Sequence, residues 1–149
     1  MTPVQTALLR ETWEQVIPIG DAAATLFYDR LFEIDETAKP LFAGVDMAEQ
    51  RRKLLKTLNG VIEGLNDLEA LIPAIQDLGR RHAAVGVTDA QYDSVGAALL
   101  WTLEKGLGDR WSTEAQVAWA RAYGLIADTM REAAKEASDP GAKADRLAN

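Results

Sequence analysis

The chain has no cysteine. Disulfides, thiolate metal sites, iron–sulfur clusters and cysteine nucleophiles are therefore excluded. Histidine is nearly as scarce, with His82 alone, so a multi-histidine zinc site is excluded as well. No apolar run approaches the roughly 20 residues that cross a bilayer. Glu11 and Glu14 interrupt the N-terminal stretch where a secretory leader would need an apolar core. No membrane insertion is expected, and the cytoplasm is the expected compartment. Basic charge is in deficit: 16 Lys and Arg stand against 23 Asp and Glu, a net charge of −7. Nucleic acid and anionic membrane surfaces demand basic patches, so neither is expected as a partner. Stretches of period-two alternation are missing, and no internal repeat is visible, which argues against a sheet.

What remains points to one all-helical domain. The 149 residues suffice for a single core, and 48% hydrophobic with 26% charged residues is ordinary for a globular protein. Thr2-Pro3-Val4-Gln5 reads as a capped helix start, and the apolar spacing continues through Leu9, Trp13, Val16 and Ile17 to Pro18 and Gly20. Asp21 is the expected cap of a second helix, on which Ala24, Phe27, Tyr28 and Leu31 share a face. Glu33 to Phe42 reads as a corner, with Pro40 and Gly44 marking irregular backbone. Asp46 caps a third helix, striped by Gln50, Leu54, Leu58, Val61 and Leu65. Gly60 interrupts that helix at a cost of about 1 kcal/mol relative to alanine, which suggests either close approach of another helix or simple tolerance.

Asn66-Asp67 starts a short turn, and Pro73 is expected to restart it as the helix that carries His82, ending near Gly86. Thr88 to Gln91 forms a second capping box, followed by Tyr92, Val95, Gly96, Leu99, Leu103 and Leu107 on one face. Ser112 or Thr113 opens the last helix, with Trp119, Ala120, Tyr123, Ile126, Ala127 and Met130 as its stripe. The domain is expected to span residues 1–137, with 138–149 a frayed or disordered tail.

Three polar residues interrupt apolar stripes. Leu71, Ile75, Leu78 and His82 stand at i, i+4, i+7 and i+11, one face of a helix that ends in an imidazole. A core histidine bonded to a carbonyl is one reading. An axial ligand to a haem iron, which needs a single protein ligand, is the other. Tyr28 follows Phe27 where an aliphatic residue would pack as well, and Gln50 lies one turn before Leu54. Taken singly, these are an interface tyrosine and a first-turn glutamine. Together with His82 they are a metal ligand and two neutral hydrogen-bonding groups on three helices. A hydrolytic triad would have to use His82, which sits beside Arg80 and Arg81 with no serine in a nucleophile turn.

The order of these segments resembles bacterial single-domain globins, the group similar to the haem domain of flavohaemoglobins. Residues 26–32, L-F-Y-D-R-L-F, carry Tyr28; Pro40-Leu41-Phe42 carries a haem-packing phenylalanine; residues 50–54, Q-R-R-K-L, carry Gln50 and Leu54. Residues 78–82, L-G-R-R-H, carry His82, and Q-Y-D-S-V-G and W-A-R-A-Y-G fall at 91–96 and 119–124. The resemblance spans Val4 to Met130. It implies a globin fold around haem b, iron protoporphyrin IX, with His82 as iron ligand and Tyr28 and Gln50 as the distal, catalytic pair. It places Phe42, Lys53, Leu54, Leu78, Arg81, Val87, Tyr92 and Val95 at the cofactor, with Lys53, Arg80 and Arg81 the candidates for its propionates.

One position departs from the pattern. The glutamate that in flavohaemoglobins bonds the proximal histidine and a tyrosine, here Tyr92, falls on Ala134. A plainer partner for His82 is expected. The implied function is reversible binding of O2, and of CO and NO, at five-coordinate ferrous iron, for storage, delivery or scavenging. The alternative is nitric oxide dioxygenation. Flavohaemoglobins continue into flavin and nicotinamide domains and this chain stops at Asn149, so turnover would depend on a separate reductase. A gas sensor is the least favoured class. A monomer or a dimer is expected.

Overall fold

The structure, a computed structural model, describes residues 1–138. The expected tail, 138–149, lies outside the described residues but for Ser138, the last residue of the final helix. Six α-helices follow in order: α1 (Pro3–Val16), α2 (Gly20–Ile34), α3 (Met47–Glu63), α4 (Leu68–Ala84), α5 (Asp89–Leu107) and α6 (Thr113–Ser138). Short 3-10 turns join several of them, and the described residues contain no strand. No helix among them is long and apolar enough to cross a membrane.

Local chemistry sets most of the boundaries. Thr2 accepts from the Gln5 backbone N–H while the Gln5 side chain accepts from Thr2, and Pro3 takes the first turn, where its missing N–H costs nothing. Asp46 accepts from the Ala48 and Glu49 amides at the start of α3. The Ser112 hydroxyl accepts from Ala115 and opens α6. Gly86 closes the stretch after α4 at φ +97, in the left-handed region.

Two expected boundaries differ. Asp21 does not cap α2. The helix starts at Gly20, directly after the turn Ile17–Ile19, and Asp21 in its first turn pairs with Arg51 on α3 at 3.0 Å. Pro73 does not restart a helix: Asp67 caps α4 through the Ala70 amide, and the helix runs through the proline. The proline lies near the helix start, and the missing donor would have served the Glu69 carbonyl.

The core forms where α1, α2, α5 and α6 meet. Leu9, Trp13, Phe27, Leu31, Leu99, Leu103 and Trp119 are buried in one cluster, each such side chain contributing about 1.5–3 kcal/mol of transfer free energy. The Trp119 indole donates to Thr12 Oγ1 at 2.8 Å, which satisfies the polar atom it carries inward. Along α6 the buried face includes Ala115, Ala118, Trp119, Ala122, Ala127 and Met130, whereas Ala120, expected inward, is exposed.

The close helix approach is not at Gly60, whose missing Cβ would meet nothing within 4 Å. It is at Gly79. A Cβ there would stand 2.5 Å from the Met130 carbonyl oxygen and 2.6 Å from its Cα. The backbones of α4 and α6 therefore touch at that point, which fixes α4 and with it His82, less than one helical turn further on.

Candidate functional site

A cavity of about 480 Å3 opens between the helices. This lies within the roughly 300–1,000 Å3 typical of cofactor and small-molecule pockets. All eleven residues singled out from the sequence line it: Tyr28, Phe42, Gln50, Lys53, Leu54, Leu78, Arg81, His82, Val87, Tyr92 and Val95. Arg80, one of the three propionate candidates, does not. It follows Gly79 on α4, and adjacent helical residues point about 100° apart, so it does not share the direction of Leu78 and His82.

The distal side is built by α2 and α3. Phe27, Tyr28, Phe32 and Phe42 make a cluster of rings, with Tyr28 lying 5.0 Å from Phe27 and 5.4 Å from Phe42 between centroids. The Gln50 amide Nε2 donates to the Tyr28 hydroxyl oxygen at 3.1 Å. With that oxygen accepting, the phenolic hydrogen is left for another acceptor. Burial raises the Tyr28 pKa, and the Gln50 bond offsets only part of this, so the phenol stays protonated at neutral pH.

The corner that carries Phe42 is tied to α5. The Gln91 amide donates to the Thr37 carbonyl and hydroxyl oxygens, each at 3.1 Å, while its carbonyl oxygen accepts from the Thr88 amide. The Ser94 hydroxyl donates to Asp35 at 2.7 Å. Gln91 thus completes a helix cap, as its place in the box implied, and also holds the corner.

On the proximal side, His82 Nδ1 lies 2.8 Å from the Leu78 carbonyl oxygen. A carbonyl can only accept, so Nδ1 carries the hydrogen and Nε2 keeps its lone pair. Burial lowers the His82 pKa, the Leu78 bond opposes this, and Arg81 adds to the lowering. The imidazole is therefore neutral at pH 7, the form that ligates metals. Its partner is its own helix, the plain arrangement expected with alanine at 134. The Tyr92 hydroxyl is buried without a hydrogen-bond partner, and the Tyr123 hydroxyl donates to the Tyr92 carbonyl.

Charge at the cavity is one-sided. Lys53, Lys56 and Arg81 are its charged lining residues, and no carboxylate lines it among the described residues, in a chain whose net charge is −7. Arg81 is held by Asp77 at 3.1 Å. Sequence reading did not assign Phe27, Leu31, Ala38, Leu41, Lys56, Thr57, Gln91, Tyr123, Ala127 or Met130 to the lining. Thr57 could have been found, since it continues the stripe of Gln50 and Leu54 by one turn. Tyr123, Ala127 and Met130 stood on the stripe of the last helix, but a stripe alone does not say which part of the interior it faces.

The chain is similar to known proteins in sequence and in fold. The globin family profile matches residues 25–130. A neuroglobin of Danio rerio is 27% identical over 136 residues, covering 83% of this chain and 86% of that protein. A flavohemoprotein of Rhizobium meliloti (strain 1021) is 33% identical over 113 residues, 74% of this chain but 28% of the flavohemoprotein's length. A bacterial globin from Campylobacter jejuni superposes with a TM-score of 0.77 at 23% identity, over 91% of this chain and 97% of that one. A hexacoordinated haem protein from an anhydrobiotic tardigrade superposes at 0.82 with 16% identity, over 91% and 96%.

Proposed function

Because the chain belongs to the globin family, whose members bind haem, we propose that its cavity holds haem b, with His82 as the protein ligand of the iron, and that it binds dioxygen reversibly. The observation that carries this is the content of one cavity. The chain's only histidine stands there neutral with a free Nε2, together with a tyrosine whose oxygen is already accepting and whose hydrogen is available.

The residues fit the cofactor. The lining is mostly apolar, which suits a porphyrin face, and its charges are cationic, which suits two carboxylate side chains. Lys53 and Arg81 are the proposed propionate partners, and Lys56 is placed to act with them. Phe42, Leu54, Leu78, Val87 and Val95 supply packing, and the ring of Tyr92 adds to it. Haem iron supplies, when held, a binding position for a diatomic ligand.

The protein then decides what that position favours. Tyr28 donates a hydrogen bond to a ligand that acquires negative charge, as dioxygen does, and gives little to carbon monoxide. Gln50 orients the phenol by occupying its oxygen. Neither residue is charged, so neither brings a mobile acid to the ligand. His82 is the only histidine, so two-histidine coordination within one chain is impossible. Met47 does not line the cavity, and the ammonium of Lys53, the protonated phenol of Tyr28 and the amide of Gln50 are poor ligands for ferrous iron, so the deoxy ferrous form is expected to be five-coordinate. CO and NO are ligands of the same site.

Reconstitution with haem tests this reading. The purified full chain should take up haem, show a Soret band, and shift it reversibly with O2 and with CO in the ferrous state. Failure to retain haem would overturn the proposal. Similarity to part of a flavohemoprotein favours nitric oxide dioxygenation as the second reading. That reaction needs electrons from a reductase. Nitric oxide consumption that is sustained only when a reductase is supplied would select it.

A further inference from the structure

Three carboxylates converge on Arg131, on α6. Its Nη2 donates to Asp93 Oδ1 at 2.8 Å and to the Asp89 carbonyl oxygen at 3.1 Å. Its Nη1 lies 3.6 Å from Asp128 Oδ1, and its Nε 3.8 Å from Asp89 Oδ1. The carboxylates are largely exposed, and exposed ion pairs add little to stability. What the arrangement fixes is direction. Asp89 and Asp93 stand on α5, on either side of Tyr92 in the chain. Bonds to both bring the guanidinium over the Tyr92 ring, with Cζ 5.2 Å from the ring centroid.

Tyr92 needs such a hold. A buried tyrosine is usually located by a hydrogen bond at its tip, and the buried Tyr92 hydroxyl has none. The glutamate that would bond it in the flavohaemoglobin pattern is Ala134 here. Among the described residues, Arg131 makes the polar contact to this ring. The ring in turn belongs to a cluster with Met130, against which Ile75 and Leu78 pack. It lines the main cavity with Leu78 and His82. Leu78 is the residue whose carbonyl takes the His82 Nδ1 hydrogen. A chain of packing and bonding thus runs from Arg131 through the Tyr92 cluster and Leu78 to the imidazole.

We propose that Arg131 is a positioning residue of the proximal wall: it holds the Tyr92 ring toward the α4 turn of Leu78 and so sets the direction of the His82 imidazole. It does from the face of the ring what the missing glutamate would do from its tip. Lysine can replace it only in part, because an ammonium lacks the flat group that lies on a ring while its edge bonds α5. The consequence for iron rests on His82 being its ligand; the hold on Tyr92 does not.

The test uses the full chain, first without haem. NMR of labelled tyrosine and histidine reads it, since the chain has three tyrosines and one histidine. At one neutral pH, Arg131→Gln should shift the Tyr92 ring resonances and with them those of the His82 ring, while the Tyr28 signals stay where they are. Asp93→Ala removes the bond that steers the guanidinium and should shift the same signals by less. Arg131→Lys should fall between Arg131→Gln and the unsubstituted chain. Asp128→Asn breaks an ion pair within α6 and should leave them unchanged. In the haem-loaded ferrous protein, the iron–imidazole stretching band should shift in Arg131→Gln and be restored in part by Arg131→Lys. Tyr92 signals unmoved by Arg131→Gln, or moved as far by Asp128→Asn, would overturn the hold on Tyr92. Tyr92 signals that move without those of His82, or without the iron–imidazole band, would overturn its transmission. If the chain retains no haem, the proposed cofactor fails and the ring resonances still decide the placement of Tyr92. If Arg131→Gln does not fold, Arg131→Lys and Asp93→Ala make the same comparison.

Discussion

The two walls of the main cavity are built on different terms. The helices that carry Gln50 and His82 each have one buried residue, Ile62 on α3 and Gly79 on α4, and the pair says most of it. On the proximal side α4 lies backbone against backbone on α6, at a contact that admits no side chain. On the distal side α3 stands off at side-chain distance. Its polar ties are Trp13 Nε1 to Asn59 at 3.0 Å, Arg51 to Asp21 at 3.0 Å and Gln50 to Tyr28 at 3.1 Å. A steric contact of that kind fixes position, because there is no rotamer by which it can yield. Side-chain ties fix direction and can be remade. His82, the proposed iron ligand, rides on the first kind of wall, and Gln50, which bonds the Tyr28 hydroxyl, rides on the second.

The comparison is broken most severely at His82. His82→Ala removes the one protein–iron bond that the proposal allows. Haem retention should collapse, and imidazole added to solution should restore part of it. This is read by the Soret band after gel filtration with and without imidazole. Retention unchanged without imidazole would remove His82 from its role.

Next in size is Gly79→Ala. The added methyl meets the Met130 backbone, so α4 must move off α6. The expected loss is at or beyond the upper end of the roughly 1–3 kcal/mol usual for overpacking, measured by denaturant unfolding of the haem-free chain. Gly60→Ala is the same substitution on the other wall, with helical backbone and open space around it. There it should stabilise, by about 0.4–1 kcal/mol. Two glycine-to-alanine changes of opposite sign would sharpen the contrast, and equal effects would dissolve it.

That contrast also shows where the sequence stops being legible. Stripes at helical spacing placed six helices and marked Tyr28, Gln50 and His82, which share one cavity, because the direction of a side chain on a helix follows from its position alone; the other eight lining residues named in advance came from the resemblance. Capping signals at Thr2, Asp46 and Thr88 marked helix starts for the same reason: their bonds are local. What failed was non-local. Gly60 and Gly79 are both glycines inside helices, and only the neighbouring helix distinguishes them. Asp21 looked like a cap because its alternative partner, Arg51, lies 30 positions away. Pro73 looked like a break because the tertiary packing of α4 is not written near it. Gln91 was legible as a capping residue but not as the tie to Thr37, 54 residues distant.

Smaller effects concern the distal pair. Gln50→Leu leaves the Tyr28 phenol in place but removes the amide that occupies its oxygen. Oxygen dissociation should quicken by less than in Tyr28→Phe, and the double variant should show coupling, since the two residues are bonded to each other. Additive effects would mean that each acts on the ligand by itself.

The most direct measurement is ligand dissociation from Tyr28→Phe. The substitution keeps the buried ring and deletes only the donor. A hydrogen bond to a charged group is worth about 1.5–3 kcal/mol, and each 1.4 kcal/mol is about a factor of ten. Dioxygen should therefore leave the ferrous protein about ten to a hundred times faster, while carbon monoxide, which gains little negative charge when bound, should leave at nearly its original rate. Equal acceleration of both ligands, or of neither, would contradict the assignment of Tyr28 as the group that selects dioxygen.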